Sequence, residues 1–260
     1  MAAPITKQLS YRFHNETLVG KFLRLPLRLI PKGIPISIRS GVAKGMLWLT
    51  GALVHGCWLG TYERDKQDHC AKIVKSGMTV FDLGANAGFY TLIMSRLVGV
   101  SGHVVAFEPD SGNMTLLRRH VALNRLGNVT VVQAAVSEAD SLSGFSMTGG
   151  ATGRLQENNS YLVPTLSLDA VLRNKALPSP DIVKMDVEGA EVLVLRGARD
   201  FIAKQSCSWI VALHGDEAKN GCLGIFSEAG YSLTDLESQP IDPMNFLISP
   251  VPQPAHVVSQ

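Results

Sequence analysis

One ten-residue stretch limits the fold more than any other feature: Asp82-Leu83-Gly84-Ala85-Asn86-Ala87-Gly88-Phe89-Tyr90-Thr91. It follows an apolar run, residues 79–83, flanked by Gly77 and Gly84, which reads as a buried strand. It leads into residues 89–97, which read as a helix. A tight strand-to-helix turn needs dihedral angles that glycine adopts freely and asparagine tolerates. Gly84, Asn86 and Gly88 meet that need, and Asp82 then stands at the carboxyl end of the strand. In open α/β sheets that end is the ligand edge.

The pattern repeats downstream. Residues 104–107, 129–132, 182–185 and 208–213 read as further strands, with helices over 114–124, 169–174, 190–195 and 218–229. Residues 231–233 and 245–248 close the series as two strands joined by a stretch containing Pro240 and Pro243, too short for a helical crossover. The expected fold is α/β, a doubly wound, Rossmann-like sheet of seven mostly parallel strands with an antiparallel last strand. The Ser/Gly-rich stretch 141–153 between the third strand and the next helix signals no element.

The expected domain limits are a basic helical and loop extension over 1–60, a catalytic body over 61–250 and a frayed tail over 251–260. Leu18, Phe22, Leu23, Leu25 and Leu27 alternate with Lys21, Arg24 and Arg28 in an amphipathic pattern broken by Pro26, Pro31 and Pro35. Net charge marks the same boundary. The 260 residues sum to +2, yet residues 1–60 carry eight basic residues against Glu16, which leaves −5 for the remainder. That asymmetry admits a peripheral contact with an anionic membrane face or a lid over the substrate.

A hydrophobic content of 46% excludes a disordered chain. Cys57, Cys70, Cys207 and Cys222 form no C-x-x-C pair and no disulfide framework, which reads as reduced thiols in a cytoplasmic protein. No secretory signal is evident, and the most apolar run, residues 45–60, is shorter than a membrane span. Outside the basic extension no aromatic residues interleave with basic ones, so nucleic acid is not the expected partner.

Glu108 ends the second strand twenty residues after Gly88, where a carboxylate can accept the hydroxyls of an adenosine ribose. The spacing Gly84-x-Asn86-x-Gly88, followed by Phe89 and Tyr90, is not the G-x-G-x-x-G of a dinucleotide site, and no P-loop occurs. Asp82 would repel a pyrophosphate and attract a cationic ligand. This favours S-adenosylmethionine over a nicotinamide cofactor. Ala134, just past the third strand, joins the expected cofactor contacts.

The remaining chemistry lies in Lys184-Met185-Asp186-Val187-Glu188-Gly189-Ala190-Glu191. Asp186 ends the fourth strand and should face the same crevice as Asp82 and Glu108. Glu188 is expected to cap the next helix, with Glu191 as its capping-box partner, or to serve the substrate. His214 follows the fifth strand at the same edge, and histidine has an ordinary pKa suited to taking a proton. Asp186 and His214 are therefore the expected catalytic residues. Asp186, Glu188 and His214 also offer ligands to a divalent metal, but their spacing matches no recognised signature and no metal is assigned.

Together with Phe107-Glu108-Pro109 and Leu195-Arg196-Gly197-Ala198, these motifs resemble the FkbM-type methyltransferases. The resemblance implies a class I S-adenosylmethionine-dependent methyltransferase, usually acting on oxygen and often on sugars or secondary metabolites. It carries over Gly84, Ala85, Asn86, Gly88, Phe89, Glu108 and Pro109 as cofactor contacts, and Tyr62 and Glu63 as a segment over the cofactor. The expected activity is O-methylation of a small-molecule or glycan acceptor. The alternatives are a nicotinamide-dependent oxidoreductase and a non-catalytic, membrane-associated binding protein.

Overall fold

The computed structural model describes residues 30–147, 153–156, 161–235 and 245–250. The amphipathic pattern before residue 30 and the tail from 251 lie outside the described residues. Residues 30–60 depart from the expected helical extension. They form a two-stranded antiparallel ribbon, β1 (Pro35–Ser37) and β2 (Leu47–Leu49), then a short helix, α1 (His55–Leu59). Gly41 and Gly45, both at positive φ, allow the chain to reverse between the strands. A helix that the sequence pattern does not signal, α2 (Arg64–Ile73), follows. It buries only Gln67, His69 and Cys70, so it lacks an apolar stripe.

The doubly wound body begins at β3 (Thr79–Leu83) and runs through α3 (Phe89–Val98), β4 (His103–Phe107), α4 (Ser111–Leu123) and β5 (Val129–Val132). Asp110 caps α4 by accepting the Asn113 amide at 2.7 Å. A small second sheet is inserted next: β6 (Ala135–Val136), β7 (Ser141–Met147), β8 (Gly153–Leu155) and β9 (Leu162–Leu166), in the order β6-β9-β7-β8. The Ser/Gly-rich stretch, which signals no element in the sequence, thus carries β7 and the first residue of β8. The chain continues through α5 (Leu168–Arg173), β10 (Ile182–Met185), α6 (Glu191–Arg196), α7 (Arg199–Ala203), β11 (Ser208–Ala212), α8 (Asp216–Glu228), β12 (Tyr231–Asp235) and β13 (Asn245–Pro250).

Among the described residues the main sheet has the order β12-β13-β11-β10-β3-β4-β5. β11, β10, β3, β4 and β5 are parallel neighbours, and β13 runs antiparallel to both β11 and β12. The winding reverses between β3 and β10. Their carboxyl ends therefore open a crevice at the switch point.

Two-residue periodicity sorts the core. Phe81, Leu83, Val105, Phe107, Val183, Met185, Trp209 and Val211 fall on one face, packed with residues of α5 to α8. Val80, Val104, Ile182 and Ile210 fall on the other, packed against α3, Trp48 and Cys57. The ribbon is therefore part of the body's core. Trp48 stacks on His120 with ring centroids 3.9 Å apart and meets Phe89 edge-on at 5.7 Å. All four cysteines are free and buried. No helix among the described residues is long and apolar enough to cross a membrane.

Candidate active site

Register sets the floor of the crevice. Lys184 pairs with Asp82 across β10 and β3, on the face that also carries Val80 and Ile182. The Lys184 ammonium is 3.2 Å from Asp82 and 3.7 Å from Asp186. Asp82 is fully buried, and its other oxygen accepts from the Thr91 hydroxyl at 2.7 Å. Burial alone would lower the Lys184 pKa, but Asp82 and Asp186 outweigh it and hold the group charged. Asp82 is therefore not a free charge awaiting a cationic ligand, as its motif suggests. It acts through Lys184 and Thr91.

Above this pair the chain turns sharply. A Cβ on Gly84 would stand 1.9 Å from the Asp186 carbonyl oxygen, at φ +75°. Only glycine permits so close an approach of the two strand ends. Asn86 adopts φ +54° and donates its amide to Glu108 at 2.7 Å. Glu108 also accepts from the Asp110 amide at 2.9 Å and the Asn113 side chain at 3.4 Å. Burial raises its pKa against the lowering effect of those donors.

Gly84, Asn86, Glu108 and Asn113 line a cleft open at its mouth, whose empty space out to solvent is about 520 Å³. Of the expected cofactor contacts, Gly84, Asn86, Glu108, Pro109 and Ala134 border it, and so does Glu188. Other expected contacts do not. Ala85 is buried with its amide bonded to the Phe107 carbonyl, and Gly88 lies against Leu117. Phe89 turns its ring into the core, edge-on to Trp48 and Tyr62. Glu63, at φ +45°, accepts the Tyr90 hydroxyl at 2.8 Å and pairs with Lys66 at 2.7 Å. Burial raises the Tyr62 pKa, and Glu63, Asp186 and Glu188 add to the rise.

Part of the wall carries no sequence motif. Asn113 comes from the first turn of α4, and Phe145, Gly153, Arg154 and Leu155 come from the β7–β8 hairpin. Lys184 also went unassigned as a site residue, although a lysine inside an apolar strand requires a buried partner.

At the mouth the structure brings Asp186, Glu188 and His214 together. The His214 Nε2 is 3.6 Å from Asp186 and 3.5 Å from Glu188. Its Nδ1 is 2.7 Å from Glu191 Oε1, and Glu191 is fully buried. The Glu191 hydrogen bond raises the His214 pKa, burial opposes it, and Asp186 and Glu188 add to the rise. Glu188 is not the helix cap. It takes φ +52°, α6 starts three residues later, and Glu191 instead accepts the Gly189 amide at 3.1 Å.

The cleft can hold a ribose against Glu108 beside the tight turn at Gly84, and Glu108 and Glu188 oppose a diphosphate. A family profile described as "Methyltransferase FkbM domain" matches residues 82–234. The chain belongs to the FkbM methyltransferase family. This sets aside the nicotinamide alternative, and S-adenosylmethionine is the cofactor that these residues fit.

Two curated methyltransferases and one solved structure are similar to the chain. The chain is 27% identical over 157 residues to "Hexuronic acid methyltransferase AglP" of Haloferax volcanii, covering 59% of this chain and 63% of that protein. It thus spans less than two thirds of that relative's length. It is 29% identical over 174 residues to "Methyltransferase sdnD" of Sordaria araneosa, covering 52% and 67%. The FkbM methyltransferase structure from Methylobacillus flagellatus KT superposes with a TM-score of 0.43 at 21% identity, covering 66% of this chain and 43% of that one.

Proposed function

We propose that the protein transfers a methyl group from S-adenosylmethionine to a hydroxyl oxygen of a sugar or glycan acceptor. The observation that carries this reading is continuity. Glu188 borders both the cofactor cleft and a second, open groove lined by Arg154, Leu155, Gln156, Gly189, Ala190 and Leu193. Glu188 is 3.5 Å from His214, so an acceptor that reaches Glu188 along that groove would come up to His214 and Asp186.

The bound cofactor would supply a methyl group made electrophilic by its sulfonium. Glu108 would hold the ribose through charge-assisted hydrogen bonds. Phe145 and Leu155 would screen the cleft from water. Asp186 and His214 would orient the acceptor hydroxyl and accept its proton, while Glu191 fixes the imidazole's rotation. Lys184 would hold Asp186 in place. The acidic residues at the mouth disfavour a polyanion such as nucleic acid. Hexuronic acid, named for the Haloferax relative, carries one carboxylate, and Arg154 offers a cation beside the groove.

The test uses S-adenosylmethionine labelled on its methyl group and a panel of neutral and uronic-acid oligosaccharides. Label should pass to an oligosaccharide and be lost by a factor of about 10² to 10⁴ in Asp186→Asn, with cofactor affinity nearly unchanged. No binding of S-adenosylmethionine or S-adenosylhomocysteine by calorimetry would overturn the reading.

A further inference from the structure

We propose that Asp186, Glu188 and His214 form a site for a divalent first-row transition-metal cation, whose open positions take hydroxyl oxygens of the acceptor. The acceptor half of this statement rests on the methyl-transfer reading above. The cation half does not; with the cation bound His214 serves as a ligand, and the hydroxyl proton would pass to the second oxygen of Asp186.

The geometry is the first argument. One ligand atom from each residue lies within 4.8 Å of the other two. The imidazole Nε2 is 3.6 Å from Asp186 Oδ1 and 3.5 Å from Glu188 Oε2. Those separations are too long for hydrogen bonds. Metal–ligand bonds of about 2.1 Å place neighbouring ligands roughly 3.0–3.4 Å apart, so the two histidine–carboxylate separations need shrink by only about half an ångström or less.

The second argument is the tautomer. Glu191 Oε1 accepts from His214 Nδ1 at 2.7 Å and from the Gly189 amide at 3.1 Å. A buried carboxylate with two donors on one oxygen keeps the imidazole proton on Nδ1. Nε2 then lies beside the two carboxylates, where a cation can take the place of the ring's second proton. This is the carboxylate–histidine arrangement that orients and strengthens metal-binding imidazoles.

The third argument is charge. Glu191 Oε2 is buried with no hydrogen-bond partner. Asp82, Asp186, Glu188 and Glu191 are served by one lysine, Lys184, whose closer partner is Asp82. Glu63 has its own cation in Lys66. Against Asp186, Glu188 and Glu191 the mouth sets, among the described residues, Lys184 and the His214 ring, so negative charge is in excess there. Two carboxylates and one imidazole suit Mn²⁺ or Zn²⁺ better than Mg²⁺, which prefers oxygen ligands and retains its water. His214 is exposed and Glu188 borders the groove, which leaves room at the cation for vicinal hydroxyls.

The experiment is a Mn²⁺ titration of the full chain, freed of metal by chelation, read by the loss of the free-ion electron paramagnetic resonance signal. One tight site per chain is expected. His214→Ala and Glu188→Gln should each weaken it at least tenfold, and Glu191→Gln by about ten- to a hundredfold although it is no ligand. Calorimetry with S-adenosylhomocysteine confirms that each variant is folded. An undiminished free-ion signal, or equal Mn²⁺ affinity in the parent, His214→Ala and Glu188→Gln proteins, overturns the site. Mn²⁺ binding without S-adenosylhomocysteine binding upholds the cation site and ends the methyl-transfer reading. The reverse pattern ends the site and leaves that reading standing.

Discussion

Lys184 and Asp82 stand opposite each other in register on adjacent parallel strands, 3.2 Å apart and screened from solvent. Each makes the other's burial tolerable, and through Asp186 and Thr91 they join the crevice floor to the reacting end and to α3. Removing one partner leaves an uncompensated buried charge. Lys184→Met should therefore cost about 3–5 kcal/mol in urea unfolding. The double variant Lys184→Met/Asp82→Asn should recover much of that loss. A double variant no more stable than the single one would show that the pair is not the coupled unit described.

Glu108 already accepts two backbone amides, from Asn86 and Asp110, and still borders the cleft. Its remaining lone pairs are those available to ribose hydroxyls. Glu108→Gln keeps the volume but removes the charge and one acceptor oxygen. Charge-assisted hydrogen bonds are worth about 1.5–3 kcal/mol, so S-adenosylhomocysteine affinity should fall roughly ten- to a hundredfold by calorimetry. Unchanged affinity would place the ribose elsewhere.

The backbone of this arrangement could be read from sequence because it is local. The turn from Asp82 to Thr91, the strand ends at Glu108 and Asp186 and the antiparallel final strand all follow from periodicity, glycine placement and linker length. What escaped was nonlocal or weakly patterned. The partner of Asp82 is Lys184, a hundred residues away, and the partner of His214 is Glu191, which reads locally as a capping residue. α2 has no apolar stripe to signal it. The small sheet uses strands of two to seven residues, and β7, which helps wall the cleft, lies in a Ser/Gly-rich stretch that signals no element. His120 carried no motif at all, although it joins the ribbon to the glycine turn.

Gly84 offers a backbone test of how closely β3 and β10 approach. A methyl group there would overlap the Asp186 carbonyl oxygen at 1.9 Å, at a φ that alanine also resists. Gly84→Ala should cost about 3–5 kcal/mol, the upper end for a single substitution. Gly127→Ala is the control, because an added Cβ there meets nothing within 4 Å. Equal unfolding midpoints for the two variants would remove the close approach from the account.

His120 makes the body acid-sensitive. Its Nδ1 bonds to the Ala87 carbonyl at 2.7 Å, its Nε2 accepts the Leu49 amide at 3.0 Å, and its ring stacks on Trp48. A neutral ring satisfies both bonds, whereas protonation at Nε2 would set a donor against the Leu49 amide. Burial pushes its pKa down to about 4 from 6.5, the Ala87 bond opposing and Arg119 adding to the fall. The unfolded chain therefore binds the proton more readily. The stability from this group is complete above about pH 6.5, falls as pH drops toward 4 and is level below. Each tenfold difference in proton affinity is worth about 1.4 kcal/mol, so the full loss is roughly 3 kcal/mol. Urea midpoints should decline between pH 7 and pH 4.5, and His120→Asn, less stable at neutral pH, should lose that part of the slope. Parallel pH profiles for the two proteins would show that His120 does not govern the acid limb.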